Sequence, residues 1–440
     1  MNKKVLFILF VGFCMFCACS SDDEPEHGNN QVTDPQPTAI RSLTVIDDSS
    51  IEYGEADFNL PLTQDETKAG ASMQDFAFRF TQELIAERDN AENTILSPLS
   101  AGILLSALTG GTAGHSQEEL CSLLGIQPTD LEQMNAYIKK TANRLARLDK
   151  SVRLNSANSV WMHYELPVYS SFIEKNKLFY DSDVFGIDFH DKLAGATING
   201  WCSDKTDGLI DHIVDDGPMN GSMLMANALY FKGSWTNGFR EEETADGVFH
   251  ASAGKNQTVP MMHQKFGLPL ATAETFDVVS LSFGNEDGTQ PYYMNIALPH
   301  ENMSPDKIIE TLEYSTWEKV VTSAQPRLVD LTMPRFSVYN ELDLREKLYD
   351  MGVHDIFSIK QADFSNLSPE KLFVSLIKQN AHINIDEKGA EAAAVTFVMN
   401  LISNGEEPAY IPFHVDRPFF FTIEERTTGT ILFMGIVNSL

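Results

Sequence analysis

Two short motifs that could carry out chemistry begin in this sequence, and neither is complete. His300-Glu301 begins an H-E-x-x-H zinc motif, but position 304 is a serine, so the second histidine is missing. The Gly-rich segment 110–116 lacks the lysine of a P-loop, and no G-x-S-x-G nucleophile elbow occurs. The scattered histidines have no carboxylate at a fixed metal-binding spacing: His263, His354, His382 and His414. The sequence therefore predicts neither an enzyme nor a metal or cofactor site.

The overall charge of the chain is strongly negative. Among its 440 residues, 62 are acidic and 32 are basic, which gives a formal net charge of -30. Such a surface repels a phosphate-rich partner, so we expect no nucleic-acid binding. The apolar fraction of 43% is ordinary for a globular protein with a substantial core.

The N-terminus has the features of a bacterial lipoprotein signal. Lys3 and Lys4 precede an apolar run of about a dozen residues, which is too short for an ordinary membrane span. The run ends in a segment resembling a lipobox, which makes Cys19 the expected lipid anchor. Cys14 and Cys17 have C-x-x-C spacing, but they lie in the segment that would be removed.

These features predict three regions along the chain. Residues 1–18 form the signal peptide, residues 19–57 a flexible acidic tether and residues 58–440 the folded domain. The acidic run 20–24 resembles a tag that directs some lipoproteins to the cell surface, although a solvated linker has the same composition. We therefore expect an outer membrane lipoprotein that is exposed at the cell surface or faces the periplasm, with membrane contact through its N-terminal lipid.

Helical patterns come first in the domain and strand patterns follow. An apolar residue every four positions over 76–84 predicts an amphipathic helix, and Ser97-Pro98 predicts the start of a second, buried helix. Ser116 with Glu119 predicts a capping box at the start of a third helix. After position 223 the runs MLMANALYF, YYMNIALP, RLVDLTMPRFSVY and LFVSLIKQNAHINI are typical of strands. This order favours an α+β fold with a large, mostly antiparallel sheet.

The segment IDEKGAEAAAVTFVMNLISNGEEPAYIPF, residues 385–413, fits two conformations. Its Ala run favours a helix, but no proline occurs between Gly389 and Glu407. Counted in twos as a strand, it presents one face of mostly small or apolar residues: Ala390, Ala392, Ala394, Thr396, Val398, Asn400 and Ile402. We therefore predict a segment that is exposed in one state and inserted as a strand in another, and we expect a charge at Ala390 or Ala392 to block insertion.

Several motifs occur in the order found in serpins, and the chain resembles that family from about Met73 to Leu440. The motifs are NTILSPLSAGILLSAL, LMANALYFKGSWTNGF, LTMPRFSV, IDEKGAEAAAVT and FHVDRPFFFTI. The resemblance implies a metastable α+β fold of three β-sheets and eight or nine helices, with an exposed reactive-centre loop. It also implies a monomer that inhibits an endopeptidase covalently: the protease cleaves the loop and is trapped as an acyl-enzyme when the loop inserts into the main sheet.

The resemblance assigns the reactive-centre loop to particular residues. The hinge comprises Glu387, Gly389, Ala390, Glu391, Ala392, Ala393 and Ala394. Counting forward from Glu387 gives Ser403-Asn404 as the reactive bond. Counting back from Pro418 instead lands near Glu407, so Ile402-Ser403 and Met399-Asn400 stay open as alternatives. Ala390 stands where Thr or Ser is more usual in inhibitory members.

The resemblance also implies a region where the main sheet opens. This region comprises Ser97, Ser100, Asn227, Trp235 and Gln379. Gln379 stands where the family usually has histidine, and it interrupts an apolar strand face, so its amide needs buried hydrogen-bond partners. The candidate partners are Ser97, Ser100 and Asn227. For Trp235, plain core packing is the alternative to a role in opening.

The loop composition restricts the target protease. No Lys or Arg occurs between Lys388 and Arg417, which disfavours trypsin-like enzymes. Apolar residues around the reactive bond favour elastase-, subtilisin- or chymotrypsin-like serine proteases, or papain-like cysteine proteases. Two other functions stay open: a non-inhibitory serpin whose loop never inserts, and a surface lipoprotein that binds glycans or host proteins.

Overall fold

A computed structural model describes residues 38–48, 61–86, 88, 91–252, 254–284, 291–390 and 409–440. The helices in these ranges are α1 Gln64–Ala86, α2 Pro98–Thr109, α3 Gly114–Leu124, α4 Leu131–Leu145, α5 Ser170–Tyr180, α6 Ala194–Lys205, α7 Pro305–Ile309, α8 Tyr314–Ser323 and α9 Arg345–Asp350. Three short 3-10 helices lie at Pro128–Asp130, Glu241–Glu243 and Asp355–Phe357.

The strands form three sheets within the same ranges. They are β1 Ile40–Arg41, β2 Thr44–Ile46, β3 Thr94–Leu96, β4 Val152–His163, β5 Pro167–Tyr169, β6 Ser182–Ile187, β7 Met223–Ser234, β8 Ala245–His250, β9 Asn256–Thr272, β10 Phe276–Phe283, β11 Tyr292–Pro299, β12 Gln325–Pro334, β13 Phe336–Asp343, β14 Leu376–Asp386, β15 Gly389–Ala390, β16 Ile411–His414, β17 Phe419–Glu425 and β18 Thr430–Val437. With nine helices and three sheets in the described part of the chain, the predicted α+β fold is confirmed.

The first sheet has seven strands in the order β1-β6-β4-β7-β15-β14-β13. The second has nine, in the order β16-β12-β9-β10-β11-β17-β18-β3 with β8 paired to β9, and β2 and β5 form the third. The seven-stranded sheet contains the two-residue strand β15, which belongs to the predicted hinge.

The two faces of the seven-stranded sheet pack against different layers. Its inner face meets the main core, to which β7 contributes Met225, Leu229 and Phe231 and β14 contributes Ile377, Ile383 and Ile385. On the other face, a separate cluster packs α6 against the sheet through Trp161, Ile198, Leu224, Ala226 and Ala228. Any strand added between β7 and β14 must therefore fit side chains into a core that is already close-packed.

Helix α2 forms as the sequence predicts. Ser97 is its N-cap and accepts a hydrogen bond from the Ser100 N–H, and Pro98 occupies the first turn. All twelve residues of Pro98–Thr109 are buried.

The capping box predicted for the third helix is wrong. Helix α3 begins at Gly114 with Ala113 as its N-cap, so Ser116 lies inside the helix. Glu119 turns away from the helix and accepts the backbone N–H groups of His354 and Asp355.

The folded part begins earlier than residue 58. Within the segment assigned to the tether, β1 pairs with the edge strand β6 and β2 runs parallel to β5. Arg41 and Asp191 form an ion pair of 2.7 Å that fixes β1 to the domain. Residues 38–48 therefore belong to the same compact unit as the rest of Thr38–Leu440, whereas the predicted signal peptide and Cys19 lie outside the described residues.

Both cysteines of the domain are buried free thiols, as expected from the sequence. Burial raises the pKa of Cys121 to about 11 and that of Cys202 to about 12, so neither is a reactive thiolate. Among the helices described, none combines the length and the apolarity that crossing a lipid bilayer requires.

Candidate functional site

The boundary between β7 and β14, called the seam below, is closed over only part of its length. The two strands run parallel and pair directly from Leu376↔Leu224 to Ala381↔Leu229. Beyond this point β15 lies between them and pairs antiparallel with each. The seam is thus occupied by hinge residues at one end and closed by direct pairing at the other.

Two hinge residues, Gly389 and Ala390, are already part of the sheet. Ala390 lies opposite Ile385 on one side and Gly233 on the other, and it is 1% exposed. Gly389 has φ of 135°, and a Cβ there would lie 2.2 Å from the Gly233 carbonyl oxygen. Only glycine fits this position, because both the backbone conformation and the close approach exclude a side chain.

Glu387 anchors the start of the hinge. Its side chain is 4% exposed and pairs with Arg335 at 2.7 Å, and Thr244 Oγ1 donates to the same carboxylate oxygen at 2.7 Å. Burial alone would raise the pKa of Glu387, but these hydrogen bonds outweigh it and hold the pKa below its usual value. The carboxylate therefore stays ionised and fixes the chain just before the seam.

Trp235 lies at the occupied end of the seam. Its indole N–H donates to the Asp386 carbonyl at 2.9 Å, and its backbone N–H donates to the Lys388 carbonyl at 2.9 Å. The ring stacks on Phe283 with a centroid distance of 4.2 Å. Trp235 is thus both a core side chain and a direct partner of the hinge backbone.

Gln379 lies in the closed part of the seam, and its partner is the main chain of Ser97. Its Oε1 accepts the Ser97 N–H at 3.2 Å, and its Nε2 donates to the Ser97 carbonyl at 2.8 Å. Of the three candidate partners, Ser97 alone takes this role, and it does so through its backbone. Gln379 thereby ties β14 to the start of α2.

Asn227 lies directly opposite Gln379 across the seam, but its hydrogen bonds point the other way. Its Nδ2 donates to Asn158 Oδ1 at 2.7 Å and to the Ala157 carbonyl at 3.4 Å, both on β4. Its Oδ1 is buried without a hydrogen-bond partner among the described residues, and the same holds for the Oγ of Ser100. Asn227 therefore ties β7 to β4 and leaves one acceptor free at the seam.

These amide contacts divide the sheet into two halves. On one side β14 is held to α2 through Gln379, and on the other β7 is held to β4 through Asn227. Neither side-chain amide bonds across the seam. Opening the seam therefore breaks backbone pairs between β7 and β14 while both polar side chains keep their partners.

The rest of the predicted loop lies outside the described residues. This applies to Glu391, Ala392, Ala393, Ala394, Met399, Asn400, Ile402, Ser403 and Asn404. The structure also adds two residues that the sequence analysis missed. These are Arg335 and Thr244, which contact Glu387 although they are distant from it in sequence. Asp386 was missed as well, although its Oδ1 accepts the N–H groups of Lys388 and Gly389 in a turn whose D-x-x-G pattern is a recognisable signal.

Comparisons with known proteins place this arrangement in one family. The sequence model of the family described as Serpin (serine protease inhibitor) matches residues 71–440. Glia-derived nexin of mouse, Mus musculus, is 29% identical over 358 residues, which cover 79% of this chain and 87% of the relative.

Two solved structures share the fold. The thermophilic serpin tengpin in its native state superposes with a TM-score of 0.77 at 26% identity, covering 87% of this chain and 96% of that one. Human thyroxine-binding globulin superposes with a TM-score of 0.76 at 26% identity, covering 85% and 99%. Since the family match spans most of the chain and the fold agrees with it, this protein belongs to the serpin family, which is described as a family of serine protease inhibitors and not of enzymes.

Proposed function

We propose that this protein is a suicide inhibitor of serine endopeptidases, with papain-like cysteine endopeptidases as a second target class. The cleaved reactive-centre loop inserts along the seam while the protease is still attached as an acyl-enzyme. The observation that supports this most directly is the position of Gly389 and Ala390 between β7 and β14. The hinge already occupies the path that the rest of the loop would follow.

The register of β15 fixes where each further residue would go. Ala390 pairs with Ile385 and Gly233, so each step along the loop moves one residue back along both neighbours. Ala392 would lie between Ile383 and Phe231. Continuing in twos, Ala394 meets Ala381 and Leu229, Thr396 meets Gln379 and Asn227, and Val398 meets Ile377 and Met225. The small face of the loop thus coincides with the core face of the sheet.

Thr396 would reach the polar point of the seam. Its hydroxyl would come beside Asn227, whose Oδ1 is a buried acceptor with no partner among the described residues. An unsatisfied buried acceptor costs about 1–3 kcal/mol, so a donor arriving with the loop favours the inserted state. The polar pair Gln379 and Asn227 would therefore meet Thr396, the one residue of the inserting face that carries a hydroxyl.

Insertion replaces the direct pairing of β7 with β14 by two new pairings, one between the loop and each of these strands. The six direct pairs from Leu376↔Leu224 to Ala381↔Leu229 must break. The loop then pairs antiparallel with both neighbours, and antiparallel pairing is slightly more stable per residue than the parallel pairing it replaces. Before cleavage the far end of the loop is held at β16, which is fixed by its pairing with β12. Cleavage removes this restraint and releases the stored free energy, the strain-release switch for which serpin loop insertion is a standard example.

The movement would inactivate the attached protease. An inserted run of about fifteen residues extends on the order of 50 Å at roughly 3.3 Å per residue. Carrying the protease along the sheet pulls its nucleophile, base and oxyanion donors out of alignment, and displacements of about 1 Å already slow such reactions about a hundredfold. Deacylation then stops and the complex persists.

The same fold also carries proteins with other roles, since thyroxine-binding globulin shares it. The hinge supports inhibition here, because Ala390, Ala392 and Ala394 are small and the segment from Gly389 to Glu407 has no proline. We take Ser403-Asn404 as the reactive bond, with elastase-, subtilisin- or chymotrypsin-like enzymes as targets.

We also propose that the mature chain is a monomer anchored to the outer membrane by lipid on Cys19. The support is the order of Lys3 and Lys4, a short apolar run and the lipobox-like segment. An acyl chain plus an acidic tether would leave the domain free to meet proteases outside the cytoplasm.

Lipidation can be tested by metabolic labelling. In bacteria that express the full chain and are fed a labelled fatty acid, we expect label on the protein, loss of label in Cys19→Ala and retention of label in the matched control Cys17→Ala. A Cys19→Ala protein that still carries label contradicts this anchor.

Inhibition can be tested with a panel of proteases and a denaturing gel. We expect an elastase-, subtilisin- or chymotrypsin-like enzyme to form an adduct that survives SDS, with mass spectrometry placing the ester at residue 403, 402 or 399. Trypsin should form none, because no basic residue is available in the loop. If every protease of the panel cuts the loop and none is retained, the chain is not an inhibitor.

The insertion register can be tested with two hinge variants. Ala392→Glu would bury an unpaired charge between Ile383 and Phe231, a cost of several kcal/mol. The acyl-enzyme should therefore hydrolyse before the loop has inserted. The matched control Ala393→Glu faces the other side, next to the half-buried His382. We expect the number of inhibitor molecules consumed per protease to rise at least about tenfold for Ala392→Glu and to change little for Ala393→Glu. Equal behaviour of the two variants contradicts the register.

A further inference from the structure

We propose that a single transition-metal ion of the zinc class binds at the surface between α3 and the segment that leads into β14. The donors are His115 and Glu119 from α3 together with His354 and Asp355. The two pairs are about 235 residues apart in sequence and meet in space, as the distance of 2.8 Å between His115 Nδ1 and Asp355 Oδ2 demonstrates.

Three of the four donor atoms already lie close to one another, and the fourth, from His354, lies close to one of them. His115 Nδ1 lies 3.7 Å from Glu119 Oε1, and His354 Nδ1 lies 3.6 Å from the same oxygen. The donor atoms of His115, Glu119 and Asp355 all lie within 4.8 Å of one another. Metal bonds of about 2.0–2.1 Å in tetrahedral geometry put neighbouring donors about 3.3 Å apart. His354 Nδ1 is not part of this group of three, so the exposed His354 side chain would have to rotate toward His115 and Asp355 to supply the fourth donor.

The two carboxylates are held in place from behind. The side chain of Glu119 is 8% exposed and that of Asp355 is 11% exposed. Glu119 uses Oε2 to accept the N–H groups of His354 and Asp355, at 3.0 and 2.9 Å. Its Oε1 is thereby aimed at the imidazoles, and such outer contacts are what orient metal ligands in known sites.

The imidazoles, in contrast, are largely exposed, although His115 Nδ1 is already bonded to Asp355 and the His354 ring packs on Tyr349 at a centroid distance of 4.3 Å. The side chains of His115 and His354 are 68% and 45% exposed. They border a cavity of about 460 Å³ that Arg345, Tyr349 and Phe357 also line. The Arg345 guanidinium lies over the Phe357 ring at 5.3 Å. Two imidazoles with two carboxylates form a mixed nitrogen and oxygen donor set, which suits zinc and its neighbours better than calcium or magnesium.

A second cluster provides an internal comparison. His163, Asp188 and His190 also bring three donors within 4.8 Å. This cluster has one carboxylate, and His163 Nδ1 accepts the Glu165 N–H at 3.4 Å. With fewer carboxylates and an occupied imidazole nitrogen, it should bind a metal ion more weakly.

The site would link two parts of the inhibitor. His354 and Asp355 precede β14, and the Val374 N–H near the start of that strand donates to the Ile356 carbonyl at 2.8 Å. A bound ion would therefore tie α3 to the segment that positions one side of the seam. Because the ion would bind the folded chain and not an unfolded one, it should raise the melting temperature.

The test uses the full chain, with accessible thiols alkylated, and Zn²⁺ alone as the probe. Competition with a chromophoric chelator should give one tight site per chain. The double variant His115→Ala/His354→Ala should lose at least about tenfold in affinity, whereas the matched control His163→Ala/His190→Ala should keep it. The imidazoles of His115, His354 and His190 are exposed and that of His163 is half-buried, and circular dichroism in EDTA verifies that both variants fold.

Two further readouts identify the ligands. With Co²⁺ in place of Zn²⁺, we expect the visible absorption of a four-coordinate ion and no thiolate charge-transfer band. Zn²⁺ should raise the melting temperature of the wild type and not that of His115→Ala/His354→Ala. The proposal is overturned if that variant binds Zn²⁺ like the wild type, if the control variant loses the site, or if the wild type binds no Zn²⁺ at about 100 times the concentration of the protein.

Discussion

Ala390 fills the space between Gly233 and Ile385, and the direct pairing of β7 with β14 resumes only from Ala381 and Leu229. The strand that would complete the seven-stranded sheet is therefore present in part, and the remaining length of the seam is closed by the weaker alternative of two parallel strands in contact. Under the proposed mechanism, the same chain would reach a more extensively paired arrangement once the covalent connection of the loop to β16 is cut. The other contacts around the seam stabilise this state, in which only β15 lies between β7 and β14.

The contacts around the seam act at different points along it. Glu387 with Arg335 and Thr244 fixes the chain at the entrance, and Trp235 holds the hinge backbone through two hydrogen bonds. In the closed part, Gln379 is bonded to α2 and Asn227 to β4, so that the two sides could separate without losing these side-chain partners. A seam that carried an amide pair across it would cost more to open, because each buried group would be left unsatisfied.

Sequence reasoning predicted the helix and strands around the seam where the signal is local. The N-cap Ser97, the buried helix α2 and the strands around Asn227 and Gln379 follow from capping and apolar patterns. The long strand β4, which lies in the mainly helical first half of the domain, was not predicted. Strands β1 and β2 are too short to show any periodicity. Glu119 was misassigned because the capping-box spacing is satisfied in sequence, whereas the N-cap of α3 is Ala113, three residues before Ser116. Its real partners, and those of Glu387, are distant in sequence and leave no local pattern.

The insertion mechanism rests on one thermodynamic claim, that the cut chain is more stable than the intact chain. Differential scanning calorimetry of the intact protein, and of the same protein nicked within 391–408 by a protease that is not retained, tests it most directly. We expect the nicked form to melt well above the intact form, because insertion of the loop would replace one parallel ladder by two antiparallel ladders. Equal melting temperatures, or a lower one after nicking, would contradict it.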